Sequence, residues 1–156
     1  MLAAVSSSPA SDDDMVTWWG LVIEGYQATQ ERLLTEIADR LDLAPGPFDI
    51  LLRLLRSPGH RLPMTRLATE AALSSGGFTK VADRMTQAGL IRREPSATDR
   101  RVTHAVLTEH GVKTAEQARE ITAEVLRDRV LGPLGAKGAT DLAEAMRTLR
   151  AANSKD

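Results

Sequence analysis

The sequence predicts a mainly α-helical fold carrying one small β-hairpin, on three observations. Apolar residues recur at helical spacing along most of the 156 residues. After Gly89 the period changes, and Leu90 to Arg93 and Val102 to Leu107 are short β-forming runs around the turn-rich Glu94-Pro-Ser-Ala-Thr-Asp-Arg-Arg. Turn clusters at Pro45-Gly-Pro, Ser57-Pro-Gly and Gly132-Pro133 separate the helical stretches. Length and apolar content fit one domain over residues 15–152.

The elements follow in order. Residues 1–14, with Ser6-Ser-Ser-Pro and Asp12-Asp-Asp, read as a disordered acidic tail. Met15 to Leu41 places Trp19, Val22, Ile23, Tyr26, Leu33, Ile37 and Leu41 on about one helical face, and Pro45-Gly-Pro ends the connection that follows. Pro47 suits a first helical turn, with Phe48, Leu51, Leu52 and Leu55 as the buried stripe before Ser57-Pro-Gly. Glu109 to Leu131 offers Val112, Ala115, Ala118, Ile121, Val125 and Leu126; beyond Gly132-Pro133 a last helix carries Leu142, Ala145, Met146 and Leu149. Long apolar stripes at both ends exceed what a small central core can cover, which points to packing on a second copy of the chain.

The chemistry concentrates in the centre. Ser74 is placed as an N-cap and Gly89 as a C′ glycine for a helix over Ser74 to Ala88, whose stripe is Phe78, Val81, Ala82 and Met85. The opposite face presents Gly76, Thr79, Lys80, Asp83 and Gln87, with Arg84 at its edge, a mixture able to read base edges in a groove. Gly76 and Gly77 in the first turn have two readings: close approach of backbone N–H groups to a phosphate, or close packing on a neighbouring helix.

Charge is distributed unevenly along the chain. Residues 61–104 hold eight Lys or Arg against four acids, a local +4 in a chain of net −1. A cationic patch in an otherwise acidic protein is the footprint of polyanion binding, although the overall pI of 6.3 conceals it.

These residues resemble the winged helix-turn-helix core of the MarR family of transcriptional regulators over residues 62–113. Pro63 to Ala72 resembles the first helix of the motif and Ser74 to Ala88 the recognition helix. Asp99, Arg101, Leu107, Thr108 and Gly111 match the wing signature in spacing. The resemblance implies a winged helix-turn-helix (about 45–108) flanked by N- and C-terminal dimerisation helices (about 15–41 and 109–152). It also implies a homodimeric repressor on a pseudo-palindromic double-stranded operator, relieved by a small ligand. Ser74, Ser75, Gly76, Thr79, Lys80 and Arg84 are then the major-groove set, and Asp99, Arg100 and Arg101 the wing set, with Asp99 holding Arg101 extended toward the minor groove and Arg100 at a phosphate or sugar edge. A plain exposed ion pair is the alternative for Asp99 and Arg101.

One branch of the family, responding to urate and related aromatic acids, is similar at Trp18 or Trp19, at Phe48-Asp49 and at Arg93. Val81 stands where that branch has an arginine, which removes one cation expected at an anionic ligand. The implied effector site is therefore Trp18, Trp19, Asp49 and Arg93; if Asp49 and Arg93 lie near one another beneath the winged region, an anion at Arg93 repels Asp49, and a plain Asp49–Arg93 pair is the other reading. Ordinary packing and surface roles are the alternative.

The absence of cysteine excludes disulfides and thiol-based sensing. No apolar run reaches membrane-spanning length and no basic segment precedes an apolar stretch, so a cytoplasmic protein without membrane contact is expected. No cofactor, metal site or catalytic constellation is expected: His60, His104 and His110 show no HExxH spacing, and Ser74 and Ser75 have no nearby histidine with an orienting acid. A metal-responsive regulator using His104, Glu109 and His110, and a winged module that binds protein instead of DNA, are the alternatives.

Overall fold

The computed structural model describes residues 10–71 and 75–154. Helices α1 (Asp12–Leu41) and α2 (Pro45–Leu55) lead through a 3₁₀ turn (Pro58–His60) into β1 (Arg61–Pro63), followed by α3 (Met64–Glu70) and α4 (Ser75–Gln87). Strands β2 (Ile91–Pro95) and β3 (Thr103–Leu107) precede α5 (Glu109–Leu126), a π-helical segment (Arg127–Leu131) and α6 (Gly132–Asn153). The hairpin is thus joined by β1, giving an antiparallel sheet in the order β1-β3-β2.

Helix α1 begins inside the expected acidic tail, which corrects the reading of residues 12–14 as disordered. Ser11 Oγ accepts from the Asp14 backbone N–H at 3.1 Å, and the Asp14 carboxylate accepts from the Ser11 N–H at 3.1 Å, a reciprocal capping box. Asp12, Asp13 and Asp14 in the first turn also favour the positive end of the helix. Residues 1–9 of the expected tail lie outside the described residues.

The expected stripe along α1 is divided. Leu33 and Ile37 are buried and Leu41 is half-buried, whereas Trp19, Val22, Ile23 and Tyr26 are exposed in this chain. The reason is length: thirty residues make a helix of about 45 Å, longer than the core it lies on. Helix α6 likewise leaves Leu134, Leu142, Met146 and Leu149 exposed. In α2 the buried set is Phe48, Ile50, Leu51 and Leu54, so Leu52 and Leu55 stand at its margin. The break expected at Gly132-Pro133 falls at Gly135 instead (φ 69°, ψ 172°), a conformation open to glycine, while Pro133 is tolerated in a first turn.

One core joins α1 to α5 and the sheet. Ile37 of α1, Leu51 and Leu54 of α2, Leu67 of α3, Phe78, Ala82 and Met85 of α4, Ala105 and Leu107 of β3, and Ala115, Ala118 and Ile121 of α5 form one buried cluster. Helix α2 is the shared platform, touching α4, α5, β1 and β3.

The passage from α4 into the hairpin is fixed locally. Gly89 takes a positive φ of 69°, its N–H donates to Thr86 O at 3.0 Å and the Leu90 N–H to Met85 O at 2.9 Å, a Schellman ending. Thr108 clamps that turn to α5. Its backbone N–H donates to Leu90 O at 3.1 Å, its hydroxyl donates to Gly89 O, and the same hydroxyl accepts from the Gly111 N–H at 2.9 Å.

Candidate nucleic-acid interface

Phe78, Ala82 and Met85 anchor α4 on the core, and half-buried Val81 packs beside Gly46 of α2. That seating leaves Gly76, Thr79, Lys80, Arg84 and Gln87 exposed together. Ser74 lies outside the described residues, and Ser75 is described only as the first backbone position of α4.

At the tip of the β2-β3 hairpin the loop closes on itself. The Ser96 N–H donates to Val102 O at 2.8 Å and the Val102 N–H to Asp99 O at 2.9 Å, while Ser96 Oγ accepts from the Thr98 and Asp99 N–H groups. Asp99 then takes three hydrogen bonds from one residue: from the Arg101 backbone N–H at 3.0 Å, from Nε at 3.2 Å and from Nη2 at 3.3 Å. The Arg101 side chain stays 90% exposed, so the pair orients the guanidinium without burying it. Arg100 beside it is exposed.

The Arg101 side chain, and after it the Arg101 backbone N–H, hold the Asp99 carboxyl below its ordinary pKa of 3.8. For a depressed carboxylate the grip is complete above the ordinary value and is lost as pH falls through the lower folded one. An NMR titration of the Asp99 carboxyl is expected to show a midpoint below 3.8 that rises toward 3.8 in Arg101→Ala. An identical midpoint in both proteins would refute the grip.

The fold sorts the cations counted in the sequence. Arg92 and Arg61 both lean on Glu94 (2.6 and 3.9 Å), Arg66 holds Glu70 (2.6 Å), and Arg93 Nη2 holds Asp83 Oδ1 (2.6 Å). Among the described residues, Lys80, Arg84 and Arg100 have no ion-pair partner, and Arg101 projects outward from its own. The uncompensated positive charge therefore gathers on the exposed face of α4 and at the hairpin tip.

The expected effector residues are not brought together as one cluster. Asp49 accepts from Arg53 Nε at 2.7 Å, and Arg53 Nη1 reaches Glu70 at 3.4 Å, whereas Arg93 is taken by Asp83. An Asp49–Arg93 ion pair is not formed: an i, i+4 arginine serves Asp49 within its own helix, and Arg93 pairs with Asp83 of α4. Hydrogen bonding to Asp49 leads the causes that raise Arg53 above its ordinary pKa. Asp49 and Arg53 line a groove of about 350 Å³ with Tyr26, Gln30, Leu34 and Phe48. Trp18 and Trp19 are each 55% exposed on the projecting part of α1. Among the described residues no group of three or more His, Asp or Glu side chains is placed to hold a metal ion, so His104, Glu109 and His110 do not assemble one. Among the described residues no helix is long and apolar enough to cross a membrane.

A two-helix unit, α3 and α4, backed by a third helix and followed by a hairpin with an arginine at its tip, defines the winged helix-turn-helix class of DNA-binding proteins. A model of the MarR family matches residues 41–102. The HTH-type transcriptional repressor IacR of Pseudomonas putida is 32% identical over 124 residues, 76% of this chain and 71% of that protein. The HTH-type transcriptional regulator MhqR of Bacillus subtilis is 40% identical over 70 residues, 45% of this chain and 47% of that one. Among solved structures, AbsC of Streptomyces coelicolor, a MarR family transcriptional regulator, superposes with a TM-score of 0.76 at 27% identity, covering 92% of this chain and 95% of its own. Sco3205 of the same organism, solved in complex with DNA, shares the fold at a TM-score of 0.79 and 22% identity, covering 96% and 93%. The chain belongs to the MarR family of transcriptional regulators: it is a DNA-binding regulator and not an enzyme.

Proposed function

We propose that the chain acts in the cytoplasm as a homodimeric repressor of a pseudo-palindromic operator, released from DNA by a small effector. The observation that carries the DNA reading is the gathering of Lys80, Arg84, Arg100 and Arg101 on one helix face and one hairpin tip, while the other arginines of the segment are paired within the fold. Ser74, Ser75, Gly76 and Thr79 complete the major-groove set, and Asp99 sets the wing arginine. Repression follows the reading of IacR, named as a repressor.

Dimerisation is supported by the unburied apolar rows of α1 and α6, Trp18, Trp19, Val22 and Ile23 on one and Leu142, Met146 and Leu149 on the other. Rows of this size on terminal helices exceed the scattered apolar exposure of a monomer. A two-fold dimer presents two copies of α4 to half-sites about 10 bp apart or a multiple of that spacing.

For the effector, a small aromatic acid is the proposed class and the groove beside Asp49 and Arg53 its seat, with Trp18 and Trp19 as fluorescent reporters on α1, the helix that brings Tyr26, Gln30 and Leu34 to that groove. Arg93 lies at the α4-β2 junction, where an arriving anion would compete with Asp83.

The test is footprinting on the intergenic DNA beside its own gene, with sedimentation of the free protein. A two-fold footprint from a dimer, with affinity falling about 10³-fold or more between 50 and 200 mM salt for six or more phosphate contacts, is expected. A footprint without two-fold character, or a flat salt response, would overturn the reading. Salicylate and urate are the probes for release. An unchanged DNA affinity and unchanged tryptophan emission with both would remove the aromatic-acid effector.

A further inference from the structure

The geometry points to the Asp83–Arg93 ion pair as a positioning device for DNA recognition, in which Arg93 acts on operator binding through Asp83 and not by touching DNA itself. The inference rests on the DNA reading of α4 proposed above. Asp83 is the single acid in α4, and at three residues after Lys80 and four before Gln87 it shares their side of the helix. Every acid in the cationic segment is held by arginine: Glu70 by Arg53 and Arg66, Glu94 by Arg61 and Arg92, Asp99 by Arg101 and Asp83 by Arg93. Asp83 differs from the others in standing on the helix that would enter the groove. A bare carboxylate there opposes the phosphates on either side of it.

Arg93 is placed for this role by the sheet. It pairs with Ala105 in the β2-β3 ladder, on the side of the strand shared with buried Ile91, which is the side that meets α4. Its Nη2 reaches Asp83 Oδ1 at 2.6 Å across the mouth of the Gly89 turn. The pair therefore does two things at once. It cancels the one negative charge of α4, and it ties the roll of that helix to the hairpin bearing Arg101, so that groove reader and wing keep one relative setting. Both side chains are partly exposed, 39% for Arg93 and 49% for Asp83, and an ion pair so exposed adds little to folding. Its effect is to be sought in binding.

A double-mutant cycle on the full chain separates the possibilities, with the footprinted intergenic duplex as probe and thermal melting as the folding control. Arg93→Ala is expected to weaken operator binding about 10-fold in the presence of Asp83, since it leaves that charge uncompensated. In the Asp83→Asn background the same substitution is expected to cost less than about 3-fold, the difference being the coupling. Arg93→Lys, which keeps a charge beside Asp83, restores most of the loss. The salt slope of Arg93→Ala stays that of the wild type, because no phosphate contact has gone. An equal loss in both backgrounds with a slope smaller by about one makes Arg93 a phosphate contact and overturns the inference, as does no loss in either. Failure of the wild-type chain to bind the duplex at all removes the DNA reading and the inference with it, an outcome distinct from wild-type binding without coupling.

Discussion

Gly111→Ala lowers the melting temperature, although helix propensity alone argues for the reverse. Gly111 lies in the first turn of α5, where alanine ordinarily gains about 1 kcal/mol over glycine. Here a Cβ would stand 1.9 Å from Leu90 O and 2.9 Å from Leu90 C, with a Leu107 methyl at 3.3 Å. The first two atoms are backbone and cannot rotate aside. Leu90 O also receives the Thr108 N–H, so moving it opens the clamp between the α4-β2 turn and α5. Overpacking against a fixed backbone costs about 3 kcal/mol, which exceeds the helix gain. The net cost of about 2 kcal/mol, at roughly 2–4 °C per kcal/mol for a chain of this size, lowers the melting temperature by about 4–8 °C. A melting temperature equal to or above the wild type would show that α5 can shift at no cost.

Arg101→Ala has the largest expected effect on DNA binding. The side chain is 90% exposed and already aimed by Asp99, so little ordering remains to be done when it enters a minor groove. Its removal is expected to weaken operator binding about 10- to 100-fold in a titration at fixed salt while leaving major-groove base preference as it was. Lys80→Ala is the contrast, because it alters which bases are preferred. Asp99→Ala keeps the cation and loses only its orientation, and falls between wild type and Arg101→Ala. Binding by Arg101→Ala equal to wild type at moderate salt would remove the wing from the interface.

What could be read in advance divides by the range of the interactions involved. The end of α4 was legible because Gly89 is the residue a Schellman turn requires, and the hold of Asp99 on Arg101 because the two are separated by one residue. The capping box is equally local, with Ser11 three residues before Asp14, but the acidic, serine-rich composition around it is equally that of a disordered tail. Strand β1 escaped because three residues carry no period; Arg61–Pro63 is a strand only because β3 lies alongside. The Asp83–Arg93 pair joins elements of different period and depends on the roll of α4 against β2, which no spacing encodes. Asp49 had an i, i+4 arginine in plain view, and the nearer partner prevailed over the distant one expected for it. Along α1 the apolar period is continuous, and a period cannot distinguish a face buried in its own chain from one left bare.

The single core centred on α2 has a thermodynamic consequence. The side chains that seat α4 and the hairpin belong to the same cluster as those joining α1 to α5, so the reading elements have no independent melting transition. Anything that binds only the folded form then stabilises the entire cluster, by about 2.7 kcal/mol at a hundredfold excess over its dissociation constant. DNA held by α4 therefore protects amides in α1 and α5 that it never touches, and a core defect as far away as Ile121 is felt as weaker occupancy of DNA, because both draw on one folding equilibrium.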